Sequence, residues 1–412
     1  MIVGIEQRGL FMAEGPKLTG LGRVFVALFV AACMYGAYYL FIQKPKSATG
    51  NKGPSGASDS VFDTFGGADH VEIGIAYGTE KERWLKWAVD EFAKTRDGKK
   101  IKVNLIPMGS LEGAHALLNG DQRIQVWSPA SALYKDTFVQ EWQVKYSQNP
   151  ILKEEPLALS PMVYVFWDER YQAFLPKYKT VSFATLGQAL QEKGGWESIA
   201  QKPEWGLFKL GHTHPNESNS GLMTIVLAAY SYQKKTKDLE LKDVVDVGFQ
   251  NWLQNFERGV SGLSNSTGNM MREMVLKGPS SYDALVVYES VVIDYLKNAE
   301  GRWGQLRVVY PEYNAWNDNP YYIIDAPWSS KDQRKAADTF LQFLLSEPIQ
   351  KESLNHGFRP ANPNVPVKFA DSPFVKYADY GIKVDLGKIC DAPRGEVVNN
   401  LLQSWQRTQG NR

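Results

Sequence analysis

HVEIGIAYGTEKERWLKWAVDEFAKTRDGKKIKVNLI, residues 70–106, decides the fold class. Val71, Ile73 and Ile75 alternate with smaller or polar residues, which is the period of a strand. A turn at Tyr77-Gly78-Thr79 follows. From Glu80 to Thr95 the residues Trp84, Leu85, Ala88, Val89 and Phe92 recur at helical spacing, with Thr79 placed to cap the helix. Ile101 to Ile106 returns to a strand. Strand, helix and strand in this order predict a parallel sheet and an α/β protein.

The alternation continues toward the C-terminus. A short strand over Gln125–Trp127 precedes Ser128-Pro129-Ala130-Ser131, where proline suits the first turn of a helix because its missing N–H has no intrahelical partner there. Further strands are expected at Pro161–Trp167, Trp205–Leu210, Tyr282–Tyr288 and Leu306–Val309. Helices are expected at Val181–Leu190, capped by Ser182, at Gly221–Tyr232 and at Lys331–Leu345. Val397–Trp405 reads as a short helix with Val398, Leu401, Leu402 and Trp405 on one face. No internal repeat is visible.

Toward the N-terminus, Val24 to Ile42 is an uncharged run long enough to cross a hydrocarbon core of about 30 Å as a helix. Arg23 precedes it, Lys44 and Lys46 follow, and Tyr35, Tyr38 and Tyr39 mark an interface belt. Charge on both flanks leaves the orientation open. An uncleaved anchor is favoured over a cleaved signal peptide, and over a lipoprotein signal built on Val30-Ala31-Ala32-Cys33, because the sequence stays apolar after Cys33. The Gly-, Ser-, Pro- and Lys-rich stretch that follows has the composition of a flexible tether.

Composition excludes several classes of function. Lys plus Arg number 46 against 45 for Asp plus Glu, without a basic run, so there is no electrostatic footprint for nucleic acid. Cys33 and Cys390 are the two cysteines, which leaves no disulfide framework and no cysteine-rich metal cage. No G-x-S-x-G elbow, H-E-x-x-H or P-loop occurs. His212 and His214 would share a face of an extended segment, but no carboxylate or cysteine at metal spacing accompanies them, so neither a metal nor a cofactor is expected. Trp127, Tyr288, Trp316 and Tyr321 lie beside polar loops and raise a sugar-stacking reading, against which core packing is the simpler account.

Ligands of doubly wound α/β domains sit beyond the carboxyl ends of the strands, where loops enter helix N-termini. Three loops have suitable residues: Tyr77-Gly78-Thr79-Glu80; Trp127-Ser128-Pro129-Ala130-Ser131; and the polar run from Gly211 to Gly221 that opens onto an apolar helix. Free N–H groups and hydroxyls at helix starts favour an anion. One such loop is accounted for by capping alone, whereas three in one α/β chain point to a site.

The order of Ser128-Pro129-Ala130-Ser131, Gly211-His212-Thr213-His214-Pro215 to Ser220-Gly221, Tyr310-Pro311-Glu312 and Asn319-Pro320-Tyr321 resembles bacterial extracellular solute-binding proteins of the type 2 periplasmic fold. FLQFLLSEPIQKESLNHGFRPANP (340–363), a helix running into a Gly-Phe-Arg-Pro-Ala-Asn turn, is similar to that group as well. The resemblance implies two α/β lobes joined by two crossings and closing on a ligand. The expected order is an arm (1–23), a transmembrane helix (24–42), a linker (43–60), a first lobe (61–160), a second lobe (161–308), a return to the first lobe (309–370) and an extension packed on the first lobe (371–412). The resemblance further implies a ligand site at Gly78, Thr79, Ser128, Ser131, Ser218, Ser220, Gly221, Tyr288 and Glu289, and Trp127 and His214 in the same loops join them as candidates. Glu80, Glu217 and Glu289 place negative charge near that site, which weakens an oxyanion assignment. The expectation is a non-catalytic, membrane-anchored receptor outside the cytoplasm, in the periplasm or extracellular. It would capture a small polar solute or oxyanion for an ABC-type permease or another membrane partner, without binding nucleic acid. The alternative is a ligand-free tethered scaffold for another envelope protein, whose cleft would be filled by its own side chains.

Overall fold

Residues 70–299 and 303–409 are described by the structure, a computed structural model. The expected arm, the apolar run 24–42 with Cys33, and the linker lie outside the described residues. Among the described residues no helix is long and apolar enough to cross a membrane.

The strands, in chain order, are β1 (Val71–Tyr77), β2 (Ile101–Pro107), β3 (Val126–Ser128), β4 (Ile151–Pro156), β5 (Ala158–Trp167), β6 (Leu210–Thr213), β7 (Gly262–Ser264), β8 (Ala284–Tyr288), β9 (Leu306–Val309), β10 (Tyr313–Asn314), β11 (Trp316–Asn317), β12 (Pro320–Ile324), β13 (Arg359–Pro360) and β14 (Lys388–Ile389). The helices that position the site or hold the lobes are α1 (Glu82–Ala93), α2 (Ser110–Leu118), α3 (Lys135–Tyr146), α4 (Asn219–Gln233), α5 (Val247–Gly259), α6 (Thr267–Lys277), α7 (Glu289–Ala299), α8 (Lys331–Leu345) and α9 (Gly395–Gln409).

β1 lies parallel to β2, register Val71↔Ile101 through Tyr77↔Pro107, as the opening pattern predicts. Every β1 residue from Ile73 onward is buried, Gly74 and Ala76 included, so both faces are covered, as expected of a central parallel strand. The first sheet runs β2-β1-β3-β12-β4. On one face α1 buries Trp84, Leu85, Ala88 and Phe92, and Phe92 meets Phe340 of α8 at a ring-centroid distance of 5.0 Å. Leu85 and Phe92 each contribute roughly 1.5–3 kcal/mol by leaving water.

The second sheet runs β11-β5-β8-β6-β7, with β9 and β13 also paired to β5. β5 is the outgoing crossing: Ala158 sits in the core of the first lobe, while Met162 to Trp167 sit in that of the second. The return passes from β9 through β11 to β12, which lies antiparallel to β3 and β4 of the first sheet. Asn319 marks this return. Its φ is 42°, a left-handed conformation that Asn adopts more readily than most side chains. Its carboxamide donates to Ala158 O (3.1 Å) on the outgoing crossing and accepts from Lys81 Nζ (3.0 Å) in the first lobe.

Several local expectations are corrected. Thr79 is not the cap of α1: Gly78, in an extended conformation, opens a 3₁₀ turn over Thr79–Lys81 ahead of it. Pro129 lies outside a helix, and Ser131 caps the turn Ala132–Tyr134 instead. No strand forms over Trp205–Leu210, because Gly206 turns the chain at φ 69° and Trp205 packs under Arg170, 3.4 Å from its guanidinium carbon to the ring centroid. The strand there is β6. The C-terminal extension packs mainly on the second lobe, meeting the first at the turn Ala132–Tyr134. α9 lies against α4 and α5, Trp405 Nε1 donates to Glu257 Oε2 (2.7 Å), and β14 pairs with β10. The apolar face expected of this helix is real, but the surface it covers belongs to helices whose exposed stripes are not apparent from its own sequence.

Candidate functional site

A cavity of about 170 Å³ lies between the lobes, smaller than the roughly 300–1,000 Å³ typical for drug-sized ligands. The first lobe supplies Gly78, Thr79 and Glu80 after β1, and Pro107 at the end of β2 with Met108 to Ser110 after it, where α2 begins. From the second lobe come Ser218 and Asn219 at the start of α4, Asn265 to Thr267 at the start of α6, and Tyr288 at the end of β8. All lie at carboxyl ends of strands. The first N–H groups of a helix have no intrahelical acceptor and carry partial positive charge, so α2, α4 and α6 make this wall favourable to negative charge.

The lobes touch around the cavity. Thr79 Oγ1 lies 3.0 Å from Ser266 Oγ, Ser131 Oγ donates to Asn219 Oδ1 (2.6 Å), and Arg83 pairs with Asp294 at 3.0 Å. Asn219 Nδ2 donates to Tyr288 Oη and to Asn317 Oδ1, both at 2.9 Å, so one amide links both lobes and the return crossing. Tyr288 Oη thus accepts from Asn219 and also interacts with the Ser220 hydroxyl. Burial first, and then the charge of Glu80, push this phenol well above its usual pKa. Gly109 marks a close approach, since a Cβ there would stand 2.3 Å from Glu217 O across the cleft.

Of the residues expected at the site, Gly78, Thr79, Ser218 and Tyr288 line the cavity. The others stand behind it or apart from it. Trp127 is core, packed on Phe138 and Tyr322, with Nε1 donating to Ser110 O (3.2 Å). Ser128 is buried with its hydroxyl unpartnered, and Ser131 is engaged with Asn219. Ser220 Oγ sits 2.6 Å from both Thr213 Oγ1 and Thr267 Oγ1, bracing the starts of α4 and α6. Gly221 lets α4 pass so close to β6 that a Cβ would lie 2.1 Å from Thr213 O. His214 stacks edge-on against Trp405 at 4.5 Å, with Glu217 Oε1 3.9 Å from Nδ1, too far for a hydrogen bond. Its neighbour His212 is buried 3.1 Å from Glu257, so the two histidines do not converge. Tyr321 is fully buried too, its hydroxyl donating to Ala337 O (3.0 Å).

Glu289 is placed by a buried ion pair and not by the cavity. Both its oxygens accept from Arg359, from Nε and Nη2 at 2.8 Å each, and Tyr310 donates to it as well. Burial is the larger influence and raises its pKa, with Arg359 and Tyr310 opposing.

Residues not singled out from sequence are Pro107 to Ser110, Glu112, Asn265 to Thr267 and Asn269. The rule that located the other loops reaches these as well. Met108-Gly109-Ser110 follows the strand Ile101–Ile106 directly, and Ser266 opens a helix whose Met270, Met271 and Met274 are buried at helical spacing.

Two α/β lobes joined by two crossings around a small polar cavity are the architecture of the type 2 periplasmic solute-binding class. The chain belongs to the bacterial extracellular solute-binding protein family, whose profile matches residues 73–359. It is 34% identical over 89 residues to a thiosulfate-binding protein of Pseudomonas aeruginosa, a match that spans 22% of this chain and 26% of that protein. Its fold is shared with the sulfate-binding protein SubI from Mycobacterium tuberculosis H37Rv (TM-score 0.52, 15% identity, 83% of this chain and 99% of that one). A periplasmic thiamin binding protein is similar to it also (TM-score 0.56, 13% identity, 83% and 98%).

Proposed function

We propose that this protein captures a small oxyanion between its lobes and delivers it to an ABC-type permease, held at the membrane by the helix 24–42 with its lobes outside the cytoplasm. One observation carries the oxyanion reading: the starts of α2, α4 and α6, together with Thr79 and Tyr288, surround one small cavity with N–H and O–H donors. Relatives named for sulfate and thiosulfate support the same class. The scaffold alternative expects a filled cleft, whereas this cleft keeps about 170 Å³ open with polar walls.

The carboxylates that weaken an oxyanion assignment are mostly engaged elsewhere. Glu289 is held by Arg359, Glu112 accepts from Gly109 N (3.0 Å), and the Glu217 side chain is 55% exposed. Glu80 remains at the wall.

The test is thermal unfolding of the full chain in detergent with sulfate, thiosulfate, phosphate, sugars and amino acids. A bound oxyanion at a hundred times its Kd stabilises by about 2.7 kcal/mol. Gly109→Val, whose side chain would meet Glu217 O across the cleft and hold the lobes apart, should abolish the shift. A shift with sugars or amino acids alone would refute the oxyanion reading. Alkaline extraction of membranes tests the anchor: release of the protein into the supernatant contradicts it.

A further inference from the structure

Glu80 is out of place in a site for a bare anion. Its side chain is 6% exposed, it lines the cavity, and its Oε1 takes the ammonium of the fully buried Lys81 at 2.5 Å. Oε2 has no hydrogen-bond partner among the described residues. The carboxylate lies folded against Gly78, where a Cβ would stand 2.3 and 2.4 Å from its two oxygens. Only glycine at 78 lets it lie there. A carboxylate in a first helical turn is favoured by the helix dipole, which accounts for its presence in the sequence but not for its seat on the cavity wall. Lys81 is held by Pro129 O (3.2 Å) and Asn319 Oδ1 (3.0 Å) as well, so the pair is fixed from behind.

An ionised carboxylate oxygen only accepts hydrogen bonds. Sulfate and thiosulfate carry no hydrogen at neutral pH, so either would meet Glu80 with lone pairs and like charge. A tetrahedral oxyanion that keeps a hydroxyl hydrogen donates it to Oε2 in a charge-assisted bond, while its other oxygens take the N–H and O–H donors opposite. Resting on the oxyanion reading above, we propose that Glu80 is a specificity-determining residue that selects a hydrogen-bearing tetrahedral oxyanion, of the hydrogen phosphate or phosphonate class, over fully deprotonated ones.

Isothermal titration of the full chain in detergent at neutral pH, with sodium phosphate, sulfate and thiosulfate, tests this. An acceptor left unpaired and facing a like charge weakens binding by about 10- to 100-fold, so phosphate should exceed sulfate by at least about tenfold. Glu80→Gln, whose amide can donate, should weaken phosphate and strengthen sulfate until the ratio falls toward one. Gly78→Ala, which displaces the carboxylate without changing any charge, should do the same. If either variant fails to fold, the ratio measured on the unaltered chain still decides. Sulfate or thiosulfate binding as tightly as phosphate overturns this proposal and leaves the oxyanion reading standing. Binding of none of the three by a chain that unfolds cooperatively overturns both.

Discussion

Two buried acid–base pairs flank the cleft, and they are built differently. Glu289 and Arg359 saturate each other: two parallel hydrogen bonds join them, Tyr310 adds a third to the carboxylate, and Arg359 Nη2 also donates to Lys383 O at 2.6 Å. The guanidinium lies 4.9 Å from the Phe374 ring centroid, so this pair ties α7 and β13 to the C-terminal extension. Glu80 and Lys81 are satisfied on the lysine side only, and the open carboxylate oxygen belongs to a residue of the cavity wall. A buried charge with every bond made is architecture; one with a bond left over next to a cavity invites a ligand.

The comparison can be broken experimentally. Arg359→Ala should have the largest effect, because it leaves Glu289 buried and uncompensated, at a cost of about 3–5 kcal/mol. Chemical denaturation of the full chain measures this, and a loss below about 1 kcal/mol would remove the distinction. Lys81→Met should cost less, about 1–3 kcal/mol, since it strands the acceptors Asn319 Oδ1 and Pro129 O while Glu80 keeps access to the cavity. Finding it as damaging as Arg359→Ala would mean that Lys81 is the principal fastening of the hinge. The third effect is one of pH. Burial raises the pKa of Glu289, and Asp283 likewise, so the native state retains protons that the unfolded chain has released. Stability should therefore fall as pH rises from about 4.5 through the raised values, and Glu289→Gln should flatten that fall. An unchanged slope in the variant assigns the pH dependence to other groups.

The opening strand-helix-strand unit was legible because its apolar period is local: Trp84, Ala88 and Phe92 lie on one face of α1 whatever else the chain does. The donor loops were legible in kind, as polar residues at strand ends, but not in depth. Ser218 and Ser220 are two positions apart at the start of α4; one lines the cavity, and the other braces Thr213 and Thr267 behind it. That difference depends on how α4 is rotated against β6, which Gly221 permits and tertiary packing fixes. Glu289 follows a strand and reads as a site acid, yet its partner lies 70 residues away, and nothing local announces Arg359. The docking of α9 is not legible for a related reason: an amphipathic helix declares that it must be covered, but not by which lobe.

Asn319 has a consequence for engineering. One carboxamide fastens the return crossing to the outgoing one and to the buried lysine, in a backbone conformation that glycine adopts freely. Glycine at 319 would keep the path of the chain and remove the fastening, turning a stiff joint into a loose one without altering a single atom that faces the solute. A reporter built on such a variant would trade affinity for amplitude through its joint.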